Sequence, residues 1–218
     1  MPATVEAAPL KESLAVSTTA LTSLPLPAAP RRGGRGRVPG NLGIWAGICC
    51  EFIEFSVLFT VYFVARSHAP EAFHAGAQRL SQTAGVVITL LMITSSALLA
   101  CAVASLRAGR RRESQRWLMG ALLVALGYPV VKLLEFHFNL SQGLGVGAGL
   151  FFTVYYYLCI AHMIHAVWGI MGMCWALARH LGGAYTPEQH EGLEALASYW
   201  HATDLVWLAI FPFFYVLV

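Results

Sequence analysis

Five long apolar segments constrain the fold of this chain more than any other feature of its sequence. A helix that crosses the hydrocarbon core of a bilayer needs about 20 mainly apolar residues. Charged residues make up only 11% of the chain, against about 25% in soluble domains. We therefore predict an all-α, polytopic membrane protein whose main domain, residues 41–218, is a bundle of five transmembrane helices. The five segments lie at roughly residues 42–66, 83–106, 117–138, 147–178 and 195–218.

The first 40 residues have a different composition. They are rich in Ala, Pro, Ser and Thr and end in the basic run "RRGGRGR" at residues 31–37. A signal peptide carries its positive charges before its apolar core, whereas this cluster follows a weakly apolar stretch. We interpret residues 1–40 as a disordered, basic cytoplasmic arm. RNA binding by the RGGRGR element is the alternative, although basic residues beside a membrane span commonly fix its orientation.

The distribution of lysine and arginine predicts the orientation of the bundle. The arm, the loop between the second and third segments and the loop between the fourth and fifth together carry eleven of the fourteen Lys and Arg residues. These regions lie on one side of a five-span bundle, and positively charged loops face the cytoplasm. We therefore predict that the N-terminus is cytoplasmic and that the C-terminus lies across the membrane.

Ionisable residues interrupt the apolar segments, and most of them form pairs three residues apart. This spacing places both members of a pair on one face of a helix. A charge at the centre of a bilayer costs about 2.5–3.5 kcal/mol on insertion scales, so such residues usually face the bundle interior. The four pairs are Glu51 and Glu54, Lys132 and Glu135, His162 and His165, and His201 and Asp204.

Three of these residues are predicted to lie at one depth. With a rise of 1.5 Å per residue, Glu51, His165 and Asp204 each lie roughly 14–20 Å along their helices from the cytoplasmic side. We therefore expect them to form a hydrogen-bonded cluster within the membrane. Lys132 and Glu135 are expected to neutralise each other as an ion pair in the outer half of the third span.

These polar residues leave three interpretations open. They can hold helices together, at about 0.6–2 kcal/mol for each contact, they can handle protons, or the histidines can ligate a metal or haem. A di-iron bundle uses Glu-x-x-His on two helices and a Glu from each of two others. This sequence has Glu-x-x-Glu, His-x-x-His and His-x-x-Asp instead, which disfavours a di-iron site. Two facing histidines would allow a haem, but nothing in the spacing requires one. We therefore assign no residue as a metal ligand, as a cofactor ligand or as a catalytic residue.

Several segments resemble subunit III of the haem-copper oxidases, over roughly residues 41–218. The closing segment "YWHATDLVWLAIFPFFYVLV" is similar to the family's last helix, with its Tyr-Trp-His-x-x-Asp-x-x-Trp signature, and "CIAHMIHAVWGIMG" resembles its His-x-x-His element. In "GICCEFIEFSVLF", Glu51 falls on the family's membrane glutamate, and in "VVKLLEFHF", Glu135 falls on a family acid. Glu54 is an additional acid, and Lys132 replaces a neutral residue. The five matched helices correspond to short bacterial forms, whereas longer members have seven.

The resemblance implies an auxiliary subunit without a redox centre or cofactor of its own. Such subunits pack against catalytic subunit I, with subunit II, in the bacterial cytoplasmic membrane, where they support assembly and stability and assist proton uptake. The ending "WLAIFPFFYVLV" is more similar to subunit III-like proteins associated with nitric oxide reductases. The expected partners are therefore the catalytic subunits of an oxidase or a nitric oxide reductase, together with membrane lipids, and no nucleic acid.

Two other classes of protein remain as alternatives. Acids within the membrane suit a stand-alone proton or small-solute transporter, but transporters often contain internal repeats, and five spans do not divide evenly. The other class is a membrane enzyme with a metal of its own, which elemental analysis of the pure protein would test.

Overall fold

The computed structural model describes residues 39–217, and in this part of the chain helices are joined by short loops without strands. The prediction of an all-α fold is confirmed for these residues. The predicted arm lies outside the described residues, except for Pro39 and Gly40. In chain order the helices are α1 (Leu42–His68), α2 (Pro70–Ala77), α3 (Gln82–Arg107), α4 (Arg111–Ser141), α5 (Leu150–Leu181) and α6 (Glu191–Phe211), with a 3₁₀ turn at Val146–Ala148 and a π-helical turn at Pro212–Val216.

Four of the helices, α1, α3, α4 and α5, are long and apolar enough to cross a membrane. They contain the first three predicted segments completely and residues 150–178 of the fourth. Residues 195–211 of the fifth predicted segment lie in α6, which does not belong to this group of four. Its first turn carries Glu191 and Glu194, and its interior carries His201 and Asp204, which reduce its apolar character. The count of five spans therefore stays a prediction.

Local sequence signals set several helix ends. The side chain of Asn41 accepts a hydrogen bond from the Ile44 N–H (3.0 Å) at the start of α1, and Ser81 accepts one from the Ala84 N–H (3.2 Å) at the start of α3. Such caps satisfy amide groups that have no partner within the first turn of a helix. Gly109 has a φ of 76°, which glycine adopts without steric cost, so the chain reverses between α3 and α4 within three residues.

The helix α6 occupies the middle of the bundle, in contact with α1, α3 and α5. The helices α3 and α4 pack against each other along most of their length. Trp200 and Trp207 of α6 are fully buried, and a Cβ atom on Gly169 of α5 would lie only 2.7 Å from the Trp200 ring. Small residues let membrane helices approach closely, and this contact brings polar side chains of α5 and α6 within reach of each other.

The π-helical turn after α6 is fastened to α1. The Tyr62 hydroxyl donates a hydrogen bond to the Phe213 carbonyl (2.7 Å), and Arg66 Nη2 donates one to the Leu217 carbonyl (2.8 Å). Pro212, at the start of the turn, has no N–H to continue a regular helix. The turn buries Tyr215 in the core, where it reaches side chains of α4 and α5.

Candidate functional site

Hydrogen-bonding side chains connect a half-exposed carboxylate on α1 with the core of the bundle. The Glu54 side chain is 50% exposed, and its Oε2 lies 3.2 Å from Nε2 of His165 on α5. The other ring nitrogen of His165, Nδ1, lies 3.7 Å from Oε1 of Glu51, whose side chain is only 1% exposed. His165 therefore stands between an accessible carboxylate and a buried one.

These contacts continue through α6 and α5 to α4. The Thr203 hydroxyl donates to Glu51 Oε1 (3.0 Å), and the Thr203 carbonyl lies 3.1 Å from Nε2 of His162. Nδ1 of His162 lies 2.8 Å from the Tyr128 hydroxyl. Because a carbonyl oxygen can only accept, Nε2 of His162 carries the proton and Nδ1 accepts from Tyr128. We call the six connected residues the polar chain: Glu54, His165, Glu51, Thr203, His162 and Tyr128.

Two neighbours fix the ring of His165. The Tyr199 hydroxyl, on α6, donates to the His165 carbonyl (3.2 Å) and lies 3.4 Å from its Nδ1. The Phe55 ring meets the imidazole edge-on, with the ring centroids 5.6 Å apart. These contacts hold the two imidazole nitrogens towards the two carboxylates.

The structure brings Glu51 and His165 of the predicted cluster together but does not hydrogen-bond Asp204 to either of them. Asp204 lies beside Ser96 of α3, and its Oδ1 has no hydrogen-bond partner within residues 39–217. Thr203, one residue earlier, takes the position beside Glu51. Successive residues of a helix point about 100° apart, so adjacent positions of α6 face different helices.

The outer end of the polar chain opens into a groove between α1 and α5. The groove has a volume of about 440 Å³. Glu54 is near the middle of the 27-residue helix α1, about 18 Å from its start. A charged group at that depth is costly when it faces lipid. The groove is lined by Glu54, His165, Val146, Tyr156, Tyr157, Ile160, Ala161 and Ile164.

A second polar site surrounds Lys132 of α4, which is completely buried. Its Nζ lies 3.0 Å from Glu135 Oε2, 3.1 Å from the Tyr155 hydroxyl and 2.8 Å from the Tyr215 hydroxyl. The Tyr215 hydroxyl donates in turn to Glu135 Oε1 (2.8 Å). The ion pair expected from the sequence is therefore present, and two tyrosines complete the hydrogen bonding of both charges.

Aromatic rings enclose the Lys132 ammonium. It lies 4.8 Å from the ring centroid of Tyr155, 5.2 Å from those of Phe136 and Trp207, and 5.4 Å from that of Tyr215. Such cation–π contacts stabilise a desolvated cation. Because every member of this site is buried, a soluble substrate does not reach it, and its geometry suits a structural role.

A third polar site lies where α3 ends and α6 begins. Oε1 of Glu194 accepts from Arg107 Nη2 (2.6 Å) and lies 2.9 Å from His190 Nε2, and Oε2 accepts from the Gly40 N–H (3.2 Å). Burial opposes ionisation of Glu194, but the hydrogen bonds from Arg107 and Gly40 outweigh it and lower its pKa below the usual 4.5. The ionised carboxylate therefore ties three segments together. We call this arrangement the Glu194 clamp.

The polar chain suits proton transfer better than metal binding. Within residues 39–217, no group of three or more His, Cys, Asp or Glu side chains is arranged to hold a metal ion. Glu54 and Glu51 lie at opposite nitrogens of the His165 ring, so the three groups do not converge on one ion. An imidazole can accept a proton at one nitrogen and release it at the other.

Sequence reasoning missed the uncharged residues that link the charged ones. Apolar helices commonly use threonine and tyrosine for packing, so the sequence pattern did not single out Thr203, Tyr155 or Tyr215. Tyr128 carried a usable signal, since it lies four residues before Lys132 and therefore on the same face of α4. Of the predicted residues, His201 is partly buried, and its side chain makes no hydrogen bond or ion pair with any other described residue.

Comparisons of this sequence with known proteins cover all of the described residues. A sequence model of the family described as cytochrome c oxidase subunit III matches residues 39–218. The chain is 27% identical to the probable cytochrome c oxidase subunit 3 of Mycobacterium leprae, over 80% of this chain and 86% of that protein. It is 25% identical to the quinol oxidase subunit 3 of Bacillus spizizenii, over 81% of this chain and 86% of that protein. It is also 26% identical to the heme-copper oxidase subunit I+III of Aeropyrum pernix, over 79% of this chain and 22% of that protein.

Proposed function

Because this chain belongs to the cytochrome c oxidase subunit III family, we propose that it is an auxiliary subunit of a haem-copper oxidase in a bacterial cytoplasmic membrane. It packs beside catalytic subunit I, with subunit II, and supports the assembly and stability of the complex without redox chemistry of its own. The observation that carries this proposal is the relative named subunit I+III, of which this chain matches 22%. A relative that joins both subunits in one polypeptide supports their position side by side.

We place the contact with subunit I on the face of α1 that carries Glu54. Glu54, Val57 and Val61 follow an i,i+3,i+7 spacing, which forms one stripe on a helix. Val57 and Val61 are 59% and 51% exposed. A half-exposed acid in the middle of this stripe favours a covering protein surface with a hydrogen-bond donor over lipid tails, which offer none.

The first experiment is co-purification of the tagged, full-length protein from native membranes in mild detergent, with mass spectrometry of its partners. We expect the catalytic subunits of a cytochrome c or quinol oxidase. The C-terminal resemblance gives a second candidate, the accessory subunit of a nitric oxide reductase, which recovery of a cytochrome b and c reductase core would establish. If the protein migrates alone while a haem-copper core purifies intact without it, the subunit proposal fails.

Site-specific cross-linking tests whether the Glu54 face of α1 forms the contact, separately from whether the protein associates with a catalytic subunit. A photoreactive amino acid at Val57 should cross-link to the co-purifying catalytic subunit. The matched control is Leu123 of α4, which is 65% exposed on another helix. Cross-linking from Leu123 but not from Val57 would move the interface to α4 and leave the proposed function intact.

The polar chain supports a second candidate function, proton handling for the catalytic subunit. It connects the half-exposed Glu54 with the buried Glu51 through a single imidazole. A proton that enters at Glu54 can therefore reach Glu51 by one transfer through His165, after a small movement closes the 3.7 Å gap. Either acid can also serve only as a structural hydrogen-bond partner. The rate of proton uptake therefore has to distinguish proton transfer from a structural role.

Proton uptake by the reconstituted complex separates these two roles. Glu51→Gln should slow uptake several-fold while the complex still assembles, and Glu71→Gln, at an exposed position of α2, is the matched control. Equal uptake rates for both variants would assign Glu51 to structure alone. Proton flux through liposomes that contain only this protein, abolished by Glu51→Gln, would instead support the alternative of a stand-alone transporter.

We also propose that the fifth predicted segment, residues 195–218, is the fifth span and that the N-terminus is cytoplasmic. Five arginines at the junction of α3 and α4 support this orientation through the positive-inside rule. They are Arg107, Arg110, Arg111, Arg112 and Arg116. A periplasmic reporter enzyme fused after Val218 should then be active, and the same reporter at Gly109 inactive. An inactive C-terminal reporter would contradict a fifth crossing.

A further inference from the structure

The arginines at the end of the α3–α4 hairpin differ in whether their side chains have partners within the protein. Arg110 forms an ion pair with Glu113 (2.9 Å), and Arg111 Nη2 donates to the His180 carbonyl (3.0 Å). Arg112 and Arg116 are exposed, and neither forms an ion pair with a carboxylate in the described part of the chain. Only Arg116 Nε has a protein acceptor, the Arg112 carbonyl at 3.4 Å.

A groove between α3 and α4 begins beside Arg116, one helical turn after Arg112. Its volume is about 450 Å³, and it is lined by Leu98, Glu113, Arg116, Trp117 and Gly120. The Glu113 carboxylate is already paired with Arg110. It also accepts a hydrogen bond from the Trp117 indole N–H at 3.3 Å. The floor is open because residue 120 lacks a side chain: a Cβ atom there would meet only Leu98, at 3.7 Å.

The electrostatics of this site favour an anion. Arg112 and Arg116 lie in the first two turns of α4, at the positive end of the helix dipole, where a cation is unfavourable without a counter-ion. Trp117, which is 37% exposed, is of the type that sits at the level of lipid headgroups. Basic pockets between membrane helices bind anionic headgroups.

We propose that this groove binds an anionic phospholipid. The side chains of Arg112 and Arg116 hold the phosphate, and one acyl chain lies over Gly120 against Leu98. A phospholipid headgroup and free inorganic phosphate both present a phosphate anion to the arginines. The apolar floor below Arg116 favours the phospholipid, because it matches an acyl chain. This site does not depend on the proposed subunit function, because it lies on α3 and α4 rather than on the face of α1.

The test is titration of the purified, full-length protein in detergent with dioleoyl phosphatidylglycerol, followed by native mass spectrometry. We expect phosphatidylglycerol to bind more tightly than phosphatidylcholine. The double variant Arg112→Gln with Arg116→Gln should weaken phosphatidylglycerol binding by about thirtyfold, the combined effect of two interfacial arginines. The variant with lysine at both positions keeps the charge and should retain most of the affinity. Unchanged binding by the glutamine variant would overturn the proposal.

The groove itself is tested with a matched pair of glycine substitutions. Gly120→Val fills the floor and should weaken phosphatidylglycerol binding. Gly47→Val is the control, because a Cβ atom on that exposed glycine of α1 meets nothing within 4 Å. Inorganic phosphate is the second probe, and we expect it not to displace the lipid at millimolar concentration. Displacement by phosphate, or indifference to Gly120→Val, would show a free-anion site and reject the lipid site.

Discussion

Lys132 and Glu135 form an ion pair of 3.0 Å in which neither side chain is more than 1% exposed. Two buried charges gain enough from each other to offset their desolvation only when further hydrogen bonds satisfy them. The hydroxyl groups of Tyr155 and Tyr215 supply those bonds. Three helical segments that are distant in sequence are therefore joined by one electrostatic site.

We expect Lys132→Met to lower the free energy of unfolding by about 3–5 kcal/mol, because it leaves the Glu135 carboxylate buried and unpaired. Denaturant unfolding of the protein in detergent micelles measures the change. The double variant Lys132→Met with Glu135→Leu should lose less than the sum of the two single variants, because neither charge is then left alone. Arg79→Met, at an exposed position after α2, is the control. Equal losses for Lys132→Met and Arg79→Met would contradict a coupled pair.

Tyr128→Phe should destabilise the protein by about 1–2 kcal/mol, because it leaves Nδ1 of the fully buried His162 without its 2.8 Å partner. The matched control is Tyr157→Phe, since Tyr157 is 65% exposed and surface substitutions usually stay within about 0.5 kcal/mol. Thermal unfolding followed by tryptophan fluorescence compares the two. A Tyr128→Phe protein as stable as the Tyr157→Phe protein would mean that water replaces the hydroxyl.

The sequence predicted the long helices well because hydropathy and helix length are local properties. Three of the five apolar segments each lie completely within one long helix, and the other two overlap a long helix over residues 150–178 and 195–211. The depth estimate brought Glu51 to the level of His165. Depth along a helix does not give the direction in which a side chain points. That direction decided that Thr203, and not Asp204, contacts Glu51, since one residue rotates the side chain by about 100°.

Contacts that depend on irregular backbone could not be predicted. Tyr215 reaches Lys132 only because the turn at Pro212–Val216 is π-helical and held by Tyr62. The short helix Pro70–Ala77 is likewise fixed by tertiary packing, where Phe73 meets Phe151 edge-on at 5.4 Å. Patterns of apolar residues carry no information about either arrangement, because they describe one helix at a time.

Gly169→Ala should destabilise the bundle by about 1–3 kcal/mol through overpacking, because the new Cβ atom would lie 2.7 Å from the rigid Trp200 ring. Gly47→Ala is the matched control in an exposed part of α1. It should be neutral or stabilising by up to about 1 kcal/mol, since alanine is the better helix former. Unfolding midpoints of both variants in the same detergent check the difference. A tolerated Gly169→Ala would indicate that α5 and α6 can separate without loss.

Glu194→Gln should weaken the Glu194 clamp in a manner that depends on pH. Because Arg107 is 53% exposed, solvent screens the pair, and we expect a loss of about 1 kcal/mol at neutral pH. The pKa of Glu194 is lowered in the folded protein, so its contribution is complete above the usual value of 4.5 and disappears as the pH falls through the folded pKa. The unfolding midpoints of wild type and variant should therefore differ at pH 7 and converge as the pH falls below about 4.5. A difference that persists at low pH would assign the effect of the substitution to packing or to His190, and not to the carboxylate charge.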